Sequence, residues 1–343
     1  MLRQMPLFLL RSFSRRSSVT FLHHREALGD TLMLTALARN LKRVRPELHV
    51  AVVSRRPELF YHNPHIDEIR GWHVWRSGCT VRAKYGAEDL TGDLHAVEIQ
   101  WRALWRELAQ EHFFKPEVVS PFPKLDGVHP ELFLTSDELH VARERFASAH
   151  LGSQKPVVLI GSGGKLKPTH NREWGAANYR ALADALQPHA ELYQISGEET
   201  LLARGKALPD LRQLSVRQIA AIFAVCDAML VQEGGLMHVA RAVNAPCVTL
   251  FGGYVLPHQT GYAEQQNFFS RPECSPCISL LSNCPHLKCM LPITPRKVLQ
   301  ALSQLIAGRP VLPLPEKLHL SVPDEWTPPD FVDQDALARE RLK

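Results

Sequence analysis

No stretch of the sequence stays apolar for the ~18–20 residues that a helical membrane span requires. The strongest apolar runs, such as Ile219 to Val225, are far shorter, so no transmembrane helix is expected. Proline and glycine are scarce, 25 and 19 of 343 residues, too few for a disordered or collagen-like chain. An excess of one charge is also lacking. Forty basic residues against 35 acidic ones leave a net charge of +5. That mild basicity suits anionic small molecules or a membrane surface, and no nucleic-acid-binding motif accompanies it. A fully pairable cysteine set is missing too. The count is seven, and with no secretory signal this points to a reducing compartment. What remains is a composition of 45% hydrophobic and 22% charged residues, that of a soluble globular protein long enough for two domains.

The periodicity is that of an α/β chain. Val19 to Leu22 reads as a buried strand, followed by a turn with Gly29 and Asp30. Leu34, Leu37, Leu41 and Val44 then line one face of a helix that Pro46 stops, and His49 to Val53 is the next strand. Helices are expected over Ala96 to Gln110 and Ser136 to Ala149. Strands Val157 to Ile160, Glu191 to Ser196, Ala228 to Val231 and Cys247 to Phe251 alternate with helices Ala176 to Leu186, Val216 to Val225 and Leu236 to Val243. This gives two Rossmann-like halves, 19–150 and 151–307, between a basic extension at 1–18 and a Pro-rich tail at 308–343 with a short last helix near Gln334 to Leu342.

Ligands of open α/β sheets bind at the carboxyl ends of strands, where three turns draw notice. The first holds Asp30, either a helix N-cap or a general base. The second runs from Gly161 to Trp174 and carries Lys165, Lys167, His170 and Arg172, a basic loop suited to a diphosphate or simply to solvent. The third is Glu233-Gly234-Gly235-Leu236 with His238 on the following helix. Its glycines allow close backbone approach to a phosphate or serve only a tight turn, and His238 either lines the site or packs beside its own helix. Glu198 or Glu199, after the Glu191–Ser196 strand, is placed to accept from ribose hydroxyls, with surface solvation as the plainer reading.

In order, Ala27-Leu28-Gly29-Asp30-Thr31-Leu32-Met33-Leu34-Thr35, Asn171-Arg172-Glu173-Trp174 and Val225-Cys226-Asp227-Ala228 through Phe251-Gly252 resemble glycosyltransferase family 9, the heptosyltransferases of lipopolysaccharide core assembly. The resemblance implies a GT-B fold with two Rossmann-like domains facing across a cleft. It implies a nucleoside-diphosphate sugar donor, usually ADP-heptose, held mainly by the second domain through Lys165, Lys167, Arg172, Glu199, Glu233, Gly234, Gly235, Leu236 and His238. A glycan or glycolipid acceptor, inversion without a catalytic divalent metal and Asp30 as base are implied as well. Two positions depart from the family pattern. Glu233-Gly234-Gly235 stands where Asp-Ser/Thr-Gly is usual, and Arg172 stands where Lys is usual. Both keep the charge.

Cys274, Cys277, Cys284 and Cys289 fall within sixteen residues, the loop 274–289. Four thiolates suit a structural zinc or iron; reduced thiols and disulfides are the alternatives. The resemblance implies that such cysteines are a family trait. The 1–18 segment, with Arg3, Arg11, Arg15 and Arg16 and no acid, reads as a frayed extension, a peripheral contact with anionic lipid on the inner membrane face, or a transit peptide. A cytoplasmic setting is expected and a nucleic-acid partner is not. Two other readings compete with the enzyme: a nucleotide-sugar-binding protein that has lost catalysis, and a metal-knuckle protein that binds nucleic acid.

Overall fold

The computed structural model describes residues 18–23, 27–70, 79–82, 90, 92–110, 122–149, 155–163, 172–277, 284 and 286–308. The chain divides into two compact units, Met1–Leu134 and Thr135–Lys343. The division precedes the helix Ser136–Ala149, which the sequence reading assigned to the first domain. That helix packs against a helix of the second unit, so it belongs there.

The first unit holds β1 (Ser18–His23), α1 (Leu28–Val44), β2 (His49–Ser54), β3 (Glu68–Ile69), β4 (Cys79–Val81) and α2 (Ala96–Gln110). Its sheet runs β3-β2-β1-β4, every pair parallel. Strand order reverses beside β1, and α1 starts from the carboxyl end of that strand. Leu34, Leu37 and Leu41 are buried as the helical spacing requires, and Arg45 N–H closes the helix on Leu41 O at 2.7 Å. On α2, Trp101 and Trp105 are buried edge to face with centroids 5.4 Å apart, and Trp101 Nε1 donates to Pro123 O at 2.6 Å. The side chains of α1 also hold the 124–131 segment. Arg39 donates to the carbonyls of His129, Asp126 and Gly127, and Thr35 Oγ1 accepts from Glu131 N–H.

The second unit holds α3 (Ser136–Ala149), β5 (Val157–Gly161), α4 (Ala176–Leu186), β6 (Glu191–Ser196), the hairpin β7 (Leu202–Ala203) and β8 (Lys206–Ala207), α5 (Val216–Val225), β9 (Ala228–Gln232), α6 (Gly235–Ala242), β10 (Cys247–Phe251), α7 (Pro257–Thr260), β11 (Gln266–Phe269) and α8 (Pro295–Ala307). Its main sheet is parallel throughout, in the order β11-β10-β9-β5-β6. The chain leaves β5 for β6 on one side and later places β9 on the other. The topological switch point therefore lies between β5 and β9, where doubly wound sheets bind ligands. Val158, Ile160, Leu230, Val248 and Leu250 from the strands meet Tyr179, Leu182, Val298 and Leu302 from α4 and α8 in one core.

Thr135, not Ser136, caps α3: its Oγ1 accepts from Glu138 N–H, and the Glu138 carboxylate accepts from Thr135 N–H at 2.8 Å. The same carboxylate takes Arg217 of α5 in a two-point pair, Nε at 2.6 Å and Nη2 at 2.7 Å. Among the described residues no helix is long and apolar enough to cross a membrane. The 1–17 part of the basic extension and residues 309–343 of the tail lie outside the described residues.

Candidate functional site

In the first unit, Asp30 sits in the opening turn of α1 and is half-buried. The structure corrects the N-cap reading of this residue. Ala27 is the cap, so Asp30 occupies the third helical position, where a carboxylate faces the positive end of the helix dipole. Thr31 Oγ1 closes back on Ala27 O at 2.9 Å and helps fix this turn behind β1.

In the second unit, the switch point brings the end of β5 beside the end of β9, Ile160 opposite Leu230. From β9 the chain enters the Glu233-Gly234-Gly235 turn. Gly234 has φ 148°, a conformation that side chains rarely adopt, and α6 begins at the next residue. The N–H groups of the first turn of α6 are thereby directed out of the helix start. From β5 the chain passes through 164–171, including Lys165, Lys167 and His170, which lie outside the described residues, and returns at Arg172. Trp174 anchors that return. It is buried, donates from Nε1 to Ile293 O at 2.5 Å, and packs edge to face on Tyr179 at 4.9 Å.

Arg172 and Glu233, the two departures from the family pattern, meet each other. Arg172 Nη1 lies 3.0 Å from Glu233 Oε2, with the side chains 21% and 9% exposed. The guanidinium carbon of Arg172 stands 4.2 Å from the centroid of the Tyr254 ring. The cation is thus held by a carboxylate at one corner and by an aromatic face, an arrangement a guanidinium accepts and an ammonium does not reproduce. Tyr254 follows Gly252-Gly253 at the carboxyl end of β10; its place at the ligand edge was the signal available in the sequence. Glu173 points the other way, with Oε2 3.5 Å from Gln232 Nε2. Burial, together with the Glu173 charge, holds the Tyr179 hydroxyl well above its ordinary value.

His238 is buried on α6, its Nδ1 2.6 Å from the Tyr262 hydroxyl. Burial pushes the Tyr262 phenol up, so it stays protonated as this pair's hydroxyl. Leu236 is half-buried. Glu199 is exposed, and its backbone belongs to a stapled loop. Gln194 Nε2 donates to Glu199 O at 2.6 Å, while Arg212 Nη1 donates to the carbonyls of Gly197, Glu198 and Glu199. Gln194 and Arg212 were not singled out from the sequence.

The six cysteines with described side chains are free thiols, which removes the disulfide alternative among them. Cys277 donates from backbone N–H to Gly253 O at 2.7 Å and from Sγ at 2.9 Å, and Ser275 Oγ adds a third donor at 3.2 Å. Burial pushes the Cys289 thiol up, with Gly253 opposing and the neighbouring Cys284 and Cys277 adding to the rise. Cys274 is exposed. Four thiols suit zinc or iron by their chemistry, yet among the described residues no three His, Cys, Asp or Glu side chains converge to hold a metal. The expected tetrahedral shell is not formed, because Cys277 turns its sulfur onto a carbonyl.

A model of glycosyltransferase family 9 (heptosyltransferase) matches residues 101–288, more than half of the chain. Lipooligosaccharide heptosyltransferase 2 of Campylobacter jejuni is 22% identical over 117 residues, 34% of this chain and 36% of that protein. The match therefore spans about a third of that relative's length. The solved structure of E. coli ADP-heptose lps heptosyltransferase II aligns over 84% of this chain and 98% of its own, at 17% identity and TM-score 0.59. The iron-containing dodecameric glycosyltransferase TibC of enterotoxigenic E. coli H10407 aligns over 85% of this chain and 76% of its own, at 15% identity and TM-score 0.57. These likenesses fit the GT-B type of fold, two units each built on a parallel sheet. With the family match covering the switch-point residues from Arg172 to Tyr254, the chain belongs to glycosyltransferase family 9, the heptosyltransferases.

Proposed function

We propose that the protein transfers a heptose or related sugar from an ADP-linked donor to a hydroxyl of a glycan or glycolipid, with inversion. The observation that carries this reading is the Arg172–Glu233 pair on Tyr254, a half-buried cation beside a helix start at the switch point. The family membership supports sugar transfer, and one structural relative is named as an ADP-heptose enzyme.

In this reading Asp30 takes the proton of the acceptor hydroxyl as its oxygen attacks the anomeric carbon. The bond from that carbon to the diphosphate oxygen breaks on the opposite face, and its electron pair leaves with the nucleoside diphosphate. Negative charge grows on the leaving group as the bond breaks. Arg172, Lys165 and Lys167, and the N–H groups at Gly234 to Leu236, stabilise it. Glu233 fills one corner of Arg172, and a guanidinium has five N–H donors, so an edge is left for a phosphate. Glu199 accepts from the ribose, on a loop fixed by Gln194 and Arg212. His238 fixes α6 against Tyr262 and so holds the N–H groups in place. These steps are carried by the chain's own side chains and N–H groups.

Action in the cytoplasm at the inner membrane face belongs to the same proposal. Arg3, Arg11, Arg15 and Arg16 support it by providing a basic segment for anionic lipid. The test is a calorimetric panel of ADP, UDP, GDP and CMP. ADP is expected to bind tightest, and equal or absent binding of all four would overturn the donor assignment.

A further inference from the structure

The thiol loop and the donor-site cation are joined through two consecutive residues. Cys277 and Ser275 converge on the carbonyl of Gly253 with three donors, from Cys277 N–H, Cys277 Sγ and Ser275 Oγ. A methyl group added at Gly253 would lie 3.0 Å from Cys277 Sγ and 3.4 Å from Cys289 Sγ. The peptide between the sulfurs is thus gripped on its carbonyl and on its α-carbon. The next residue is Tyr254, whose ring carries Arg172. Arg172 is held lightly elsewhere: Glu233 takes Nη1, and among the described residues its buried Nε meets no hydrogen-bond partner. A guanidinium with one salt bridge can pivot about that contact; a second constraint is needed to fix the plane of the fork, and the ring supplies it.

We propose that Tyr254 is a positioning residue that fixes the plane of Arg172, and that the cysteine loop sets Tyr254 through its grip on Gly253. The proposal rests on the donor-site reading above for its effect on ligand, but not for the stack itself. It gives the cysteines a task that four gathered thiols do not otherwise have: they orient the phosphate-binding arginine without touching substrate. The aromatic face, not the hydroxyl, does the positioning, so Tyr254→Phe retains it and Tyr254→Leu does not.

The test reads Arg172 directly. In ¹⁵N-labelled protein the Arg172 Nε–Hε signal is identified by its loss in Arg172→Lys, and ADP is titrated by calorimetry. The wild-type signal is expected to be ring-shifted upfield. Tyr254→Phe keeps the shift and the affinity. Tyr254→Leu loses the shift and binds ADP roughly tenfold more weakly, the size of a partly desolvated cation–π contact. Gly253→Ala, which presses on the two sulfurs, moves the signal in the same direction with the melting temperature retained. A signal unchanged in Tyr254→Leu overturns the proposal, and one that moves there but not in Gly253→Ala overturns the role of the thiol loop. If the shift behaves as expected while wild-type protein binds none of ADP, UDP, GDP and CMP, the stack stands and the donor reading fails.

Discussion

Arg172 and Glu233, which enter the site from β5 and β9 respectively, form a 3.0 Å ion pair at the switch point between those strands. The two substitutions that set this chain apart from the family pattern are therefore one change. A longer carboxylate meets a longer, forked cation. Arg172→Ala removes a charge-assisted contact and should weaken ADP binding by about 1.5–3 kcal/mol in calorimetry. Arg172→Lys and Glu233→Asp should each bind ADP less well than wild type. The double variant should do better than the sum of the single losses, a coupling that a double-mutant cycle measures. Strict additivity would mean that the pair is not a unit.

Glu138 ties α3 to α5 through Arg217, whose guanidinium holds the carboxyl down to about 2 from its ordinary value of 4.5. A depressed carboxylate pKa contributes stability that is present above pH ~4.5 and is lost as the pH falls towards ~2. The group is 28% exposed, so after solvent screening the contribution is on the order of 1–2 kcal/mol. Thermal melting from pH 7 down to pH 3 should fall less steeply in Glu138→Gln than in wild type. Parallel curves would assign acid sensitivity to other carboxylates.

Trp174 carries both packing and a buried hydrogen bond to Ile293 O. Trp174→Ala should cost about 3–5 kcal/mol in urea unfolding of the folded chain. Trp174→Phe keeps most of the volume but leaves the Ile293 carbonyl unsatisfied, a loss of about 1–3 kcal/mol. A Phe variant at wild-type stability would show that the hydrogen bond contributes nothing.

Much of the architecture is legible in the sequence because its strands are short apolar runs between glycines and its helices carry a continuous apolar face. Ala96–Gln110, Ala176–Leu186 and Val216–Val225 fall where the periodicity places them. What the reading passed over has little periodicity: β4 has three residues, the β7–β8 hairpin pairs two residues on each side, and β11 is a half-buried edge strand. α8 was passed over although its start is written plainly, Thr294 capping Lys297 N–H with Pro295 at the first helical position. The domain boundary moved because α3 packs by its contact with α5, which spacing along the chain does not reveal. At the site, the turns themselves were legible from strand ends. Their pairings were not: Arg172 on Tyr254 and His238 on Tyr262 join residues far apart in the chain.

The central claim, sugar transfer with Asp30 as the base, is tested most directly by one comparison. ADP release from ADP-heptose is measured in the presence of a lipopolysaccharide-core acceptor, for wild type and Asp30→Asn. Asn keeps the size of the side chain, and since Ala27 and not Asp30 caps α1, the helix should lose only the dipole contribution of about 0.3–1 kcal/mol. The account predicts turnover by the wild type and a fall of roughly 10²–10⁴-fold in Asp30→Asn, with ADP affinity and folding retained. Equal turnover by the two proteins would contradict it.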